Sequence, residues 1–132
     1  MLSYSNFGAD TTGSPCTVHE AVSKLHNEHP EVLVDGEMQV NFALDHKLRH
    51  EHMPFSKIDG MDVNTLIFPN LNSANIAYKM MLEIGLAENV GPIQMGLKKP
   101  VHVLDVESSV RDIVNITTIA VIDAQICASK NK

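Results

Sequence analysis

Tryptophan is absent, and aromatic residues make up only 5% of the 132-residue chain. A core built without them must be aliphatic and methionine-based, which disfavours stacking platforms for single-stranded nucleic acid. Positive charge is also scarce. The formal net charge is −6 and no basic cluster exceeds the pair Lys98–Lys99, so nucleic acid is not the expected partner; neutralising phosphates needs a positive surface. The two cysteines, Cys16 and Cys127, form no CxxC and fit no metal spacing. They read as reduced thiols of a cytoplasmic protein rather than a disulfide scaffold. The first six residues have neither the basic start nor the apolar run of a secretory signal. The most apolar tract, Ile113 to Ile126, is broken by Asn115, Thr117, Thr118, Asp123 and Gln125, so no membrane span is expected. No GxSxG, Walker or GxGxxG pattern occurs.

What is present is ordinary in bulk, with 44% hydrophobic and 20% charged residues. That is a globular composition, and the length suits one domain spanning 1–132. Short apolar runs alternate with helical patterns. Leu2 to Ser5 reads as a strand ending in a turn from Gly8 to Gly13. Ser14-Pro15 offers an N-cap followed by proline at the first helical position, and Thr17-x-x-Glu20 a second capping arrangement. Val18, Val22 and Leu25 give that helix its apolar face until Pro30 stops it. Val32 to Val34 reads as a buried strand closed by Asp35-Gly36. A helix is expected from about Glu37, with Met38, Phe42 and Leu48 roughly in phase. Thr65 to Phe68 is the clearest strand, and Ile76, Met80 and Ile84 beside Ala77 and Met81 mark an amphipathic helix after it. Val90 to Met95 and Val101 to Leu104 are further strands, and Ser109 opens a long final helix. The alternation predicts an α/β fold with a mostly parallel sheet flanked by helices in three α/β/α layers. The last helix is apolar nearly all round, which predicts burial or packing against another subunit, and hence a homo-oligomer formed through residues 110–127.

Several constellations could carry chemistry. His46 and His50 stand four residues apart with His52 beyond, and His26 and His29 close the first helix, but no cysteine or HExxH context supports zinc. A solvated helix face explains them, and no metal site is expected. The stretch Phe68 to Asn75 lies where a strand feeds a helix N-terminus, the place where open α/β sheets bind ligands and where free N–H groups favour anions. Asn72 or Asn75 could donate to a phosphate there, with Lys79 one turn on; plain helix capping is the competing account. Ser109-x-x-Asp112 has a capping pattern, so Asp112 needs no catalytic explanation. Asp105 and Glu107 could act as paired carboxylates in a hydrolase, or simply form a solvated acidic turn.

The run Gly91-Pro92-Ile93-Gln94-Met95-Gly96-Leu97-Lys98-Lys99-Pro100-Val101, with Ser109 to Asn115 after it, resembles the C-terminal half of the phosphate acetyl/butyryltransferase family. Leu2-Ser3-Tyr4-Ser5, Val34-Asp35-Gly36-Glu37-Met38-Gln39 and Leu66 to Asn72 with Asn75 to Lys79 match the same family in the same order. The resemblance implies a phosphotransacetylase C-terminal-like segment, a fragment of a larger chain that handles an acyl-CoA and pairs with a second copy. It also implies ligand contacts from Ser3, Ser5, Asn72, Asn75, Lys79, Lys98 and Asp112, the last matching the family's catalytic aspartate. Active members carry Asp-Leu-Ser-Arg-Gly after the Lys-Pro loop. Here Asp105, Val106 and Glu107 stand at the Ser, Arg and Gly positions. Losing one such charge-stabilising donor typically costs about 3 kcal/mol of transition-state stabilisation, on the order of 10²–10³ in rate.

The wording around Pro54-Phe55-Ser56, Lys98 to Leu104 and Ala120 to Gln125 is similar to the phosphotransacetylase-like C-terminal domain of bacterial NADP-dependent malic enzymes. That likeness implies a regulatory, acetyl-CoA-sensing and oligomerising domain with transferase activity lost. NADP, a divalent metal and the oxidative decarboxylation of malate to pyruvate would then belong to the parent chain, and no cofactor to this segment. A fragment of an active phosphate acetyl/butyryltransferase and a purely structural dimerisation domain are the alternatives.

Overall fold

The computed structural model describes residues 1–130. Within the span read as one domain, the chain folds into two compact units, Met1–Met80 and Met81–Lys132. The first holds helices α1 (Gly13–Glu28), α2 (Val40–Leu44), α3 (His46–His52) and most of α4 (Leu71–Glu83); the second holds α5 (Val110–Lys130).

The expected strands do not form as named strands among the described residues. What forms is one parallel bridge between Leu2 and Met38. Met38 N donates to Met1 O at 3.1 Å and Ser3 N to Met38 O at 2.9 Å, while Leu2 N donates to Ile67 O at 2.8 Å. The segment around Leu2 therefore lies between those around Met38 and Ile67, the seed of a sheet without its ladder. The ladder stops because the flanking backbone turns away. Phe7 N bonds back to Glu37 O, Gln39 N turns to the Asn6 side chain, and Gly36 sits at φ 131°. Val32 to Val34, expected as a buried strand, is irregular, and Leu33 is 64% exposed. In the second unit, 90–95 and 101–104 are likewise irregular, joined by a hydrogen bond from Gln94 N to His102 Nδ1.

The helices depart from expectation mainly at their starts. α1 begins at Gly13 with Thr12 as N-cap, so Pro15 is buried inside the first turn rather than opening it. Thr17 Oγ1 donates to Gly13 O instead of forming a capping box with Glu20. The helix expected from Glu37 is two short ones. Asp45 ends α2 and caps α3, its Oδ1 accepting from Lys47 N and Leu48 N at 3.0 Å each. Backbone donation from Leu48, then Lys47, holds the Asp45 carboxyl below the usual carboxylate range.

The core of the first unit is Leu2, Met38 and Ala43, with Phe7, Phe42, Ile58, Leu66 and Phe68 against them. Gly36 is needed beside it. A Cβ there would lie 2.5 Å from Met1 O, at a φ that L side chains rarely adopt. We therefore expect Gly36→Ala to destabilise the chain by about 2–3 kcal/mol, read as a lower urea midpoint at unchanged slope. A wild-type midpoint would contradict this close approach. α4 buries no residue, so its expected apolar face is uncovered, and Ile84 lies beyond its end. Ile116 is the buried hydrophobic residue of α5, where Val110, Val114, Val121, Ile122 and Ile126 are exposed. By length and composition α5 is also long and apolar enough to cross a membrane, although no span was expected there.

Candidate functional site

In the first unit, the turn after Leu2 is organised by two buried carboxyl groups. Glu37 is fully buried; its Oε1 accepts from Gly8 N at 2.7 Å and from Ser5 Oγ at 3.4 Å, and its Oε2 lies 3.0 Å from His19 Nδ1. Asp35 accepts from Ser56 Oγ and Lys57 N, both at 2.7 Å. Ser5, implied as a ligand contact, is buried and holds the turn, its Oγ also accepting from Asp10 N at 3.0 Å. Ser3 Oγ accepts from Ser5 N at 3.2 Å. Tyr4 OH donates to Asp10, whose carboxyl is held below its ordinary range by the Thr12 hydroxyl first and Tyr4 second.

At the start of α4 the cap is Asn70, not Asn72 or Asn75: its Oδ1 accepts from Ser73 N at 2.9 Å. Asn72, Asn75 and Lys79 are exposed on the helix, and Lys79 Nζ lies 5.6 Å from the Tyr78 ring centre. The geometry leaves both asparagines available to solvent and assigns them no capping bond.

In the second unit, Lys98 is exposed, and so is the loop Asp105-Val106-Glu107, with Val106 wholly so. Ser109 and Asp112 form the capping pair read from the sequence. Ser109 N donates to Asp112 Oδ2 at 2.9 Å, Ser109 Oγ donates to the same oxygen at 2.6 Å, and Asp112 N donates to Ser109 Oγ at 3.2 Å. The Ser109 hydroxyl, then its N–H, hold the Asp112 carboxyl below the usual range. A depressed pKa means a contribution present above the ordinary carboxylate value and lost as pH falls through the lower folded value. Below about pH 4 the start of α5 should therefore fray. Ser109→Ala should cost about 1 kcal/mol and flatten this acid dependence, measured by amide exchange at residues 110–113. Equal acid fraying in the variant would sink this account.

The histidines diverge. His46 Nδ1 faces Asp62 at 3.4 Å, His50 Nδ1 faces Asp59 at 2.9 Å, and His26 Nε2 lies 2.8 Å from Val34 O. No group of three His, Cys, Asp or Glu among the described residues is arranged to hold a metal ion. Sequence reasoning missed the buried roles of Asp35 and Glu37 and the burial of His102, whose Nε2 lies 4.0 Å from Asp123 Oδ2. The glycine between the two acids was the available signal for a tight approach.

A profile of the phosphate acetyl/butaryl transferase family matches residues 1–121. The chain belongs to that family. It is 39% identical over 127 residues to the NADP-dependent malic enzyme of Salmonella typhimurium, covering 95% of this chain and 16% of the enzyme. It is 35% identical over 125 residues to the phosphate acetyltransferase of Clostridium acetobutylicum, covering 95% of this chain and 37% of that enzyme. The EutD phosphotransacetylase structure from Staphylococcus aureus superposes with a TM-score of 0.79 at 32% identity, over 96% of this chain and 38% of that one. The fold is thus similar to that of a phosphotransacetylase, and this chain spans well under half the length of each of these relatives.

Proposed function

We propose that this chain is the acetyl-CoA-sensing and oligomerising domain of a cytoplasmic NADP-dependent malic enzyme, with phosphotransacetylase activity lost. The observation that carries the reading is the loop Asp105-Val106-Glu107. Two exposed carboxyl-bearing residues and an exposed valine stand where active members of the family place Ser, Arg and Gly. A hydroxyl and a guanidinium stabilise charge on a thioester carbonyl and a phosphate; carboxylates beside an incoming phosphate repel it. Asp112, the match to the family's catalytic aspartate, is engaged with Ser109 at the start of α5. The similarity to malic enzymes supports such a parent, and the exposed apolar residues of α5 support pairing with a second copy in this reading. In this reading the segments around Leu2, Met38 and Ile67 belong to a mostly parallel sheet in three α/β/α layers.

The test is acetyl-CoA added to the intact parent, followed by thermal shift and by malate turnover. Coupling of roughly 1–3 kcal/mol would change apparent affinity about 5–150-fold. Unchanged melting and unchanged turnover at saturating acetyl-CoA would remove the sensing role. A second reading, a fragment of an active transferase, is favoured by the retained Asp112 and the similarity to the Clostridium enzyme. Acyl-phosphate formation by the intact parent, abolished in Asp112→Ala, would establish it.

A further inference from the structure

Of the seven histidines, six lie in the first unit, and His102 is the one imidazole of the second. Its side chain is 2% exposed, although its chain neighbours Val101, Val103 and Leu104 are on the surface. The two nitrogens of this buried ring are placed differently. Gln94 N donates to Nδ1 at 3.3 Å, and a backbone N–H can only donate, so Nδ1 is the unprotonated acceptor. The proton of the neutral ring therefore sits on Nε2. Nε2 is buried without a hydrogen-bond partner, and Asp123 Oδ2 of α5 stands 4.0 Å away, beyond hydrogen-bonding reach. A buried N–H left unmatched costs free energy, and a small shift of the ring toward that carboxylate relieves it.

We propose that His102 is a proton-operated switch between two partners, Gln94 and Asp123. In the neutral ring, Nδ1 holds Gln94 and closes the loop of residues 95–101, which carries exposed Lys98 and Lys99. A proton taken up from solvent enters at Nδ1, the ring's free lone pair, and there it meets the Gln94 N–H as donor against donor. The Gln94 bond is lost, and the cationic ring is drawn to Asp123 through Nε2–H. The other charged groups of the packed elements do not compete for it. Glu88 pairs with Arg111 at 2.6 Å, Asp112 is held by Ser109, and Asp105 accepts from Val106 N at 2.6 Å. Lys98, Lys99 and Glu107 are exposed. Acid thus frees the 95–101 loop and fastens residues 101–104 to α5. The proposal stands apart from the acetyl-CoA reading.

NMR on the 132-residue chain reads both partners. Ring nitrogen shifts at about pH 8 should show the proton of His102 on Nε2. Between about pH 8 and pH 5, the range in which imidazoles titrate, the protection factor of the Gln94 amide should fall at least about tenfold relative to amides in the middle of α5. His102→Asn supplies a non-titrating oxygen at the Nδ1 position and should hold Gln94 protection level across that range. Asp123→Asn keeps the shape but removes the attracting charge, so the fall should move to lower pH. A proton on Nδ1 at the high end, unchanged Gln94 protection, or an equal fall in His102→Asn overturns the switch. Should His102→Asn not fold, Asp123→Asn decides: a fall at the same pH as in the wild type overturns the exchange of partners. None of these outcomes touches the acetyl-CoA response of the parent, which keeps the two readings separable.

Discussion

Replacing Arg49 with methionine should destabilise the first unit by about 3–5 kcal/mol, more than any exposed substitution in the chain. Arg49 is wholly buried, and its guanidinium donates to four backbone carbonyls: Phe42 O at 2.7 Å, Ala43 O at 2.9 Å, Ile58 O at 3.0 Å and Met61 O. Two of these end α2 and two belong to the 58–61 turn, so one planar fork ties a helix end to a loop. Methionine fills similar volume but leaves those acceptors without their donor in a dry interior. Lysine should recover only part of the loss, because its compact ammonium does not match the span of the guanidinium fork. Urea unfolding of Arg49→Met and Arg49→Lys checks both statements. Wild-type stability in both variants would show that neither the charge nor the fork holds the turn.

Glu37→Leu should be the second large effect, again about 3–5 kcal/mol, since it removes a buried acceptor from three partners at once. Gly8 N–H loses its acceptor, and so does the Ser5 hydroxyl. His19 loses the group that fixes its ring. Glu37→Gln keeps the shape and one carbonyl oxygen, so it should cost less, about 1–2 kcal/mol, if the Gly8 bond dominates. Amide exchange at Gly8 separates the cases. A Gln variant as damaged as the Leu variant would move the weight to the His19 contact instead.

What the sequence disclosed was local. The position of α4 and the Ser109–Asp112 cap of α5 were legible because each depends on residues within one turn of the other. The strand-like runs at 32–34, 65–68, 90–95 and 101–104 were legible only as apolar stretches, since pairing depends on partners elsewhere in the chain. Leu33 and Ile67 stay exposed for that reason. The split at Asp45 follows from a competition that periodicity does not see: its carboxyl satisfies the N–H groups of Lys47 and Leu48, and this outweighs the continuous helix suggested by Met38, Phe42 and Leu48. The burial of Asp35 and Glu37 was hidden because their donors come from far along the chain. Of the residues implied as ligand contacts, Ser5 proved to be part of the internal scaffold, while Asn72, Asn75, Lys79 and Lys98 remain on the surface.

Glu37 also bears on how the chain can be made. Its bonds join residues 18, 29 and 32 positions away, and those of neighbouring Asp35 reach 21 residues in the other direction to Ser56. A nascent chain cannot close this set until the region around Ser56 has left the ribosome, and the Leu2–Ile67 bond waits longer still. The helices α1 to α3 can form early, but the loop closures that order the turn after Leu2 come late, which predicts slow folding for so small a unit. Until then the turn after Leu2, with its apolar neighbours and its unpaired acids downstream, is the part most in need of protection.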